Sequence, residues 1–286
     1  MPNRVSFRFC LLTSVLMVLF ASGISLAQSE SQPRQTYQPL EDQGSVSGAV
    51  IFSGRPPAQK RISQVADKEC VRLNPSARYE DVLVRHKHLQ NVFVYIKSGS
   101  SLAGLTFKTP SAPAVLDQRG CRFDPHVFGI QVGQMLEIRN SDPTTHNEHE
   151  GARSNPQRNN AQAEGAPPIT RQFDHPEIMI PINCRQHPWM ITYLGVLSHP
   201  FFAVTDLNGY FRIAGLPPGN YTIAAWHERF GEKTIEVTVT PRAQQTLSFE
   251  FSSADDHGAR SPRVTQSAPS ESLDASRGSV FRIKPD

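Results

Sequence analysis

The 286-residue sequence has no long segment with helical periodicity, little excess of either charge, and few cysteines. Because apolar residues do not recur every three or four positions, helices are excluded as its main architecture. The formal net charge of +3 falls to about +1 when an N-terminal segment carrying two arginines is removed. A chain this close to neutrality is not expected to bind nucleic acid.

The longest apolar run lies at the N-terminus and has the pattern of an export signal. Two arginines precede an apolar stretch from Phe9 to Phe20, and small residues follow up to Ala27. This order predicts a secretory signal peptide over residues 1–27. The alternative is an uncleaved anchor, but the run is short for a spanning helix. We expect an exported protein, periplasmic, extracellular or on the cell surface, with no stable membrane span after cleavage.

Between the signal and the C-terminal tail, apolar residues alternate with polar or small ones. The alternating runs lie near residues 46–52, 92–96, 128–138, 178–180, 211–223, 235–239 and 247–251. A period of two with Gly and Pro turns between runs is typical of half-buried strands. The prediction is an all-β chain built from β-sandwiches.

Several stretches depart from this alternation. Residues 28–44 are predicted to be a linker, and residues 54–90 are polar with room for a short helix. Residues 150–176 are rich in Asn, Gln, Arg, Ala and Pro and are predicted to form a long loop, either functional or disordered. Residues 252–286 contain too few apolar side chains to offset chain entropy, and they are predicted to be a disordered tail.

Removal of the signal peptide, with Cys10, leaves Cys70, Cys121 and Cys184. Disulfides persist in an oxidising compartment, so an odd number of cysteines leaves one thiol for another purpose. Cys70 with Cys121 is the favoured disulfide, because Cys184 is followed by other potential metal ligands. Pairing of Cys184 with either of the others is the alternative.

The segment from Cys184 to Met190 carries a thiolate, the imidazole of His187 and a thioether, three residues apart. His146, after the predicted strand at residues 136–138, is the candidate for a fourth ligand. Two imidazoles, one thiolate and a weak axial Met form the blue-copper ligand set. Zinc is the main rival, but structural zinc sites rarely use Met. If each residue is taken singly, a surface His and a core Met are the simpler interpretations.

The spacing Cys-x-x-His-Pro-aromatic-Met resembles the ligand loop of amicyanin, a cupredoxin. The Val132-Gly133 turn, the following strand and His146-Asn147 also occur in cupredoxin order. The resemblance covers roughly residues 115–200 and implies a Greek-key cupredoxin β-sandwich with one type 1 copper site. Its ligands would be His146, Cys184, His187 and Met190.

The same resemblance implies two further features of the site. Asn147 would help to hold the two ligand loops together. The edge of His187 would reach the surface, where Pro188 and Trp189 would form an apolar docking patch, although Trp189 could equally belong to the core. The sequence departs from the family pattern at Ile182, where an aromatic residue is common, and in the length of the 150–176 insert.

The C-terminal part contains Thr-Asp-Leu-Asn-Gly-Tyr-Phe from Thr205 and Leu-Pro-Pro-Gly-Asn-Tyr from Leu216. These motifs resemble the carboxypeptidase regulatory-like (transthyretin-like) β-sandwich. The expected organisation is a first half over 45–100, a copper domain over 101–200 and a second half over 201–251. The copper domain is either inserted in the smaller sandwich or placed in tandem with it. This module shows no Ser-His-Asp order, phosphate loop or paired carboxylates in a plausible cleft.

The function expected from these features is single-electron transfer, without enzymatic activity, to or from a redox protein such as a cytochrome or dehydrogenase. One alternative is copper storage or delivery. Another is a cell-surface, carbohydrate-binding-like module with an incidental metal site, because related sandwiches sometimes bind carbohydrate. His149 is a weaker candidate ligand, expected on the same side of its strand as His146 if the strand continues that far.

Overall fold

The structure is a computed structural model that describes residues 35–39 and 41–258. The predicted signal peptide lies outside the described residues, as does the predicted tail beyond residue 258. Among the helices that the structure describes, none is long and apolar enough to span a membrane.

The described chain is almost entirely β-structure, with one short helix, α1 (Lys68–Leu73), and two single 3₁₀ turns (Ser100–Leu102 and Ser253–Asp255). The strands are β1 (Gln35–Thr36), β2 (Gly44–Ser53), β3 (Val84–Arg85), β4 (His88–Leu89), β5 (Phe93–Gly99), β6 (Leu105–Thr106), β7 (Ala114–Gln118), β8 (Phe123–Asp124), β9 (Val127–Gln131), β10 (Leu136–Asn140), β11 (His146–Glu150), β12 (Asn159–Gln162), β13 (Ile169–Arg171), β14 (Glu177–Asn183), β15 (Ile191–Leu197), β16 (Phe202–Val204), β17 (Tyr210–Leu216), β18 (Gly219–His227), β19 (Gly231–Val239) and β20 (Gln244–Ser252). The prediction of an all-β chain is confirmed.

One sandwich, called here the outer sandwich, combines strands from both ends of the described chain. Its sheets have the orders β16-β5-β18-β19 and β17-β2-β4-β3, and β20 lies parallel to β2. Their inner faces bury aromatic and aliphatic side chains, including Phe52, Phe211 and Phe251. Gly48 allows β20 to lie close to β2, because a Cβ there would be 1.9 Å from the Leu247 carbonyl oxygen.

The second sandwich, called here the central sandwich, is built from the chain between β6 and β16. Its sheets have the orders β13-β10-β7-β8 and β12-β11-β14-β15-β9. Leu116 and Ile138 of the first sheet pack against residues such as Ile130, Ile182 and Leu194 of the second. Strands of the outer sandwich therefore occur both before and after the central sandwich in the chain.

A smaller apolar cluster joins the two sandwiches. Phe93 of β5 and Ala224 of β18 pack with Met179 of β14 and Tyr193 of β15. Gly195 makes this approach possible, since a Cβ at that position would lie 2.5 Å from the Phe93 ring. The two sandwiches are thus joined by buried apolar packing.

The two polar stretches are ordered in different ways. In residues 54–90, Asp67 caps α1 by accepting hydrogen bonds from the backbone N–H groups of Glu69 and Cys70. The 150–176 stretch, predicted to be a long loop, contains β12 and β13, which pair at the edges of the two central sheets. The loop prediction was wrong there, because edge pairing depends on backbone contacts that a polar composition does not reveal.

Candidate metal centre

Three buried side chains converge at one end of the central sandwich. His146 begins β11, Cys184 directly follows β14, and His187 lies in the connection to β15. The Nδ1 atoms of His146 and His187 are 2.9 Å apart, and His187 Nδ1 lies 3.6 Å from Cys184 Sγ. One ligand atom from each residue lies within 4.8 Å of the others. The structure therefore brings together the two predicted imidazoles and the predicted thiolate.

Strand pairing explains this convergence. Strands β11 and β14 are antiparallel neighbours, so the start of one lies beside the end of the other. The connection after β14 turns back through two backbone hydrogen bonds, from Cys184 N–H to the Met190 carbonyl and from Met190 N–H to the His187 carbonyl. Met190 is buried in the same apolar cluster as Cys184. The four predicted ligands are thus carried by two neighbouring chain segments.

Asn147 links the two segments. Its backbone N–H lies 3.3 Å from Cys184 Sγ, and its side-chain oxygen accepts a hydrogen bond from the Arg185 N–H at 3.2 Å. Its amide nitrogen donates to Asn159 Oδ1 at 2.8 Å. These contacts place Asn147 where the cupredoxin resemblance implies a loop-bridging residue.

The outer nitrogen of each imidazole meets a carboxylate. His146 Nε2 lies 2.8 Å from Asp142 Oδ2, and His187 Nε2 lies 3.0 Å from Asp67 Oδ2. Asp142 is buried within the central sandwich, whereas Asp67 comes from the stretch that precedes α1. A carboxylate at Nε2 holds the proton on that nitrogen and leaves Nδ1 free to bind a metal.

The proximity of these groups changes their protonation. Burial raises the pKa of the Cys184 thiol, but hydrogen bonds from His146, His187 and the Asn147 N–H outweigh burial and lower it to about 6. Burial lowers the pKa of His146, but hydrogen bonds to Asp142 and Cys184 raise it to about 9. The pKa of His187 is also raised, because its contacts with Cys184 and Asp67 outweigh burial. Without a metal ion, Cys184 is therefore a thiolate near neutral pH.

The donor set fits a single metal ion. Ligands bonded to one ion at about 2.0–2.3 Å lie roughly 3–4 Å from one another. The spacings of 2.9 and 3.6 Å are close to this range. All three donors are shielded from water, with exposed fractions of 0, 2 and 5% for His146, Cys184 and His187.

Two expectations about histidines were wrong. His187 was expected to present its edge at the surface, but the side chain is buried and its Nε2 is covered by Asp67. His149 was expected on the same side as His146, but successive side chains of β11 alternate between faces. His149 instead approaches Arg185, 3.1 Å from its guanidinium, and lies outside the ligand cluster.

The predicted disulfide and docking patch lie beside this centre. Cys70 and Cys121 form a disulfide with a Cα–Cα distance of 5.5 Å. Pro188 is exposed and Trp189 is half-buried. The Trp189 ring lies 5.1 Å from that of His187, and its Nε1 donates to the Cys121 carbonyl.

A second set of buried charged residues lies further along β11. Glu148 and Glu150 are fully buried and share the side chain of Arg171 from β13. Burial and the charge of Glu150 raise the pKa of Glu148 to about 7, although Arg171 opposes this shift. Arg171 therefore pairs with both carboxylates, and Arg158 also approaches Glu150, at 3.7 Å.

Sequence reasoning missed Asp67, Asp142 and Arg171. Asp142 is four residues before His146, and the sequence could have suggested it as a local partner. Asp67 is 120 residues from His187 and Arg171 is 23 residues from Glu148. No sequence spacing marks these last two, because tertiary packing alone brings them together.

Comparison with known families identifies the C-terminal part of the chain. Residues 198–252 match the family model described as the carboxypeptidase regulatory-like domain. This agrees with the module predicted for residues 201–251. No curated protein matches the sequence.

Among solved structures, amicyanin from Paracoccus versutus is 15% identical with a TM-score of 0.27, covering 36% of this chain and 96% of that one. A purple cupredoxin from Nitrosopumilus maritimus is 17% identical with a TM-score of 0.26, covering 29% and 98%. A copper-containing nitrite reductase from Thermus scotoductus is 17% identical with a TM-score of 0.29, and this chain spans only 28% of its length. Likenesses of this size carry no conclusion about function.

Proposed function

We propose that this chain is an exported type 1 copper protein that carries single electrons between redox partners and is not an enzyme. The observation that supports this proposal is the buried convergence of His146 Nδ1, His187 Nδ1 and Cys184 Sγ. Two imidazoles and one thiolate, with the thioether of Met190 in the same loop, form the ligand set of blue-copper electron-transfer sites.

Each residue has a defined part in this proposal. Cys184 supplies a thiolate that hydrogen bonds already stabilise, and the two histidines supply Nδ1. Met190 is the proposed weak axial ligand, and Asn147 holds the two ligand segments together. Copper bound in this set supplies a one-electron couple. Because the ligands lie on paired strands and on a loop closed by backbone hydrogen bonds, the protein would hold a bound copper ion with little rearrangement when its oxidation state changes.

The proposed route for electrons passes beside Trp189. Asp67 covers the outer edge of His187, so that edge is not available to a partner. Trp189 lies against the His187 ring and is half-buried beside the exposed Pro188. A redox protein such as a cytochrome or dehydrogenase would dock against this side of the loop.

A second candidate function is copper storage or delivery. The observation that favours it is the burial of His187, which keeps water and partners away from the ligand that is expected to be exposed in a shuttle. A storage protein would hold copper tightly and exchange it with another copper-binding protein. It would not need to pass electrons rapidly.

The first experiment is to load the protein with Cu(II) and record its visible spectrum. A blue-copper site gives an intense thiolate-to-copper absorption, and Cys184→Ser should abolish it. Asn183→Ser, at the neighbouring position before the loop, is the matched control and should retain the colour. A colourless Cu(II) complex of the unchanged protein would contradict the proposal.

The two candidate functions differ in their electrochemistry. An electron carrier should show a reversible one-electron potential and rapid self-exchange. A storage or delivery protein should instead transfer its copper to an acceptor protein and show slow electron exchange. Measuring both rates on the same copper-loaded sample separates the candidates.

A further inference from the structure

In each imidazole of the candidate centre, one ring nitrogen faces the thiolate and the other faces a carboxylate. Their Nδ1 atoms face the thiolate, and their Nε2 atoms face Asp142 and Asp67 at 2.8 and 3.0 Å. The carboxylates come from separate parts of the chain. Asp142 precedes β11, whereas Asp67 precedes α1, outside the central sandwich.

The Cys70–Cys121 disulfide lies between these carboxylates. The Cys70 N–H donates to Asp67 Oδ1 at 3.0 Å, and the Cys121 N–H donates to Asp142 Oδ2 at 2.7 Å. The Gly120 N–H also donates to Asp142, at 2.6 Å. Each cysteine sulfur lies within 4.8 Å of one of these carboxylates and one of the two histidines. The disulfide therefore ties the segment that carries Asp67 to the Gly120–Cys121 turn, whose backbone N–H groups hold Asp142 in place.

A carboxylate at Nε2 has a direct consequence for metal binding. It accepts the Nε2 proton, fixes the ring orientation and leaves the Nδ1 lone pair directed at the ion. Without an acceptor, the imidazole can rotate or carry its proton on Nδ1. Outer partners of this kind typically change metal affinity by about 10- to 100-fold.

We propose that Asp67 and Asp142 are positioning residues for the copper site, and that the Cys70–Cys121 disulfide keeps both carboxylates aligned with the imidazoles. This inference rests on the proposed copper function. It adds that the site is completed by a segment outside the central sandwich. It also assigns the disulfide a role at the site in addition to its effect on stability.

Asp67 allows these roles to be separated experimentally. Its Oδ1 caps α1, while its Oδ2 contacts His187 and accepts a hydrogen bond from Thr144 Oγ1 at 3.1 Å. Asn is also a good helix cap, so Asp67→Asn preserves the helix. Its amide nitrogen, however, would donate to His187 Nε2 and favour a proton on Nδ1. The variant therefore changes the tautomer of His187 while the fold is retained.

The test compares the unchanged protein with Asp67→Asn in three measurements. These are the His187 tautomer by ¹⁵N NMR of metal-free protein at a pH where the imidazole is neutral, the Cu(I) affinity by competition with a chromogenic chelator, and the reduction potential. The expected result is a shift of the His187 proton from Nε2 to Nδ1 and copper binding weaker by about 10- to 100-fold. Asp67→Ser, which keeps a cap but cannot reach His187, should also weaken binding.

Glu69→Gln is the matched control. It removes one negative charge from the same helix at an exposed position, and it should leave all three measurements unchanged. The Cys70→Ala, Cys121→Ala double variant should lower copper affinity in the same direction as Asp67→Asn. A folded double variant with unchanged affinity would overturn the role given to the disulfide.

The outcomes distinguish this inference from the proposed function. If the unchanged protein gives a blue copper complex and Asp67→Asn retains its affinity, potential and tautomer, the positioning role is overturned alone. If the unchanged protein forms no blue complex, the proposed function fails, and the positioning role at a copper site fails with it. A tautomer change together with weaker copper binding supports both.

Discussion

The two sandwiches of this chain use their interiors differently. The outer sandwich buries mainly aromatic and aliphatic side chains, among them Phe52, Phe230 and Phe251. The central sandwich buries a thiolate, two imidazoles and four carboxylates beside its apolar cluster. The same pattern of short alternating strands therefore produces one ordinary core and one core that carries charges.

This difference has a physical explanation. Buried charges are tolerated only where partners compensate for the loss of hydration. In the central sandwich, each of the ionisable groups named above faces an opposite charge or a backbone N–H. The outer sandwich has apolar packing as its main source of stability and supports the central sandwich through the Phe93 cluster. The outer sandwich thus contributes mainly stability, whereas the central sandwich carries the candidate metal centre.

The largest expected effect on stability is in the outer sandwich. Phe52 is fully buried, and its ring lies 5.2 Å from that of Phe230. Phe52→Ala should lower the free energy of unfolding by about 3–5 kcal/mol, because a cavity adds to the lost apolar burial. Denaturant unfolding measures this change. At low denaturant, the spectrum of the copper-loaded protein should be unchanged, and an altered spectrum would contradict the separation between the sandwiches.

The next effect is at Arg171 in the central sandwich. Arg171→Met leaves Glu148 and Glu150 without their shared cation, and removing one partner of a buried ion pair is costly. We expect a loss of about 3 kcal/mol, at the lower end of the usual range because Glu148 can take up a proton. Arg72→Met is the control, since its partner Glu69 is exposed. It should change the free energy of unfolding by no more than about 0.5 kcal/mol. Equal losses in the two variants would contradict the difference expected between a buried and an exposed ion pair.

The third effect concerns pH. In metal-free protein from residue 28 onwards, the Cys184 thiol should titrate near pH 6, compared with 9.0 for an ordinary thiol. Because the pKa of Cys184 is lower in the folded protein than in the unfolded chain, ionisation of this thiol stabilises the fold. This contribution to the free energy of unfolding is fully present above the unfolded pKa and is lost as the pH falls through about 6. Thiolate absorbance in the ultraviolet measures the titration. Cys184→Ser should remove this signal, and a native titration near 9 would contradict the expectation.

Much of the fold could be predicted because strand periodicity is local. The alternation in β2, β17 and β19 is visible in the residues themselves, and the turn motifs around Thr205 and Leu216 separate the strands. The edge strands β12 and β13 escaped prediction because their residues are polar and their pairing depends on strands far away in sequence. The burial of His187 escaped it for the same reason, since the covering Asp67 belongs to another segment.

The sequence by itself determined the all-β class, the spacing of Cys184, His187 and Met190, and the presence of three cysteines after the predicted signal peptide. These features depend on residue identity and on short spacings along the chain, so they can be recognised without a structure. Only the tertiary structure decided how His146 meets this loop, which carboxylates hold the imidazoles, and how Arg171 pairs with the buried glutamates of β11. Such contacts arise when distant segments pack together, because burial makes each polar group depend on a partner that sequence distance does not identify.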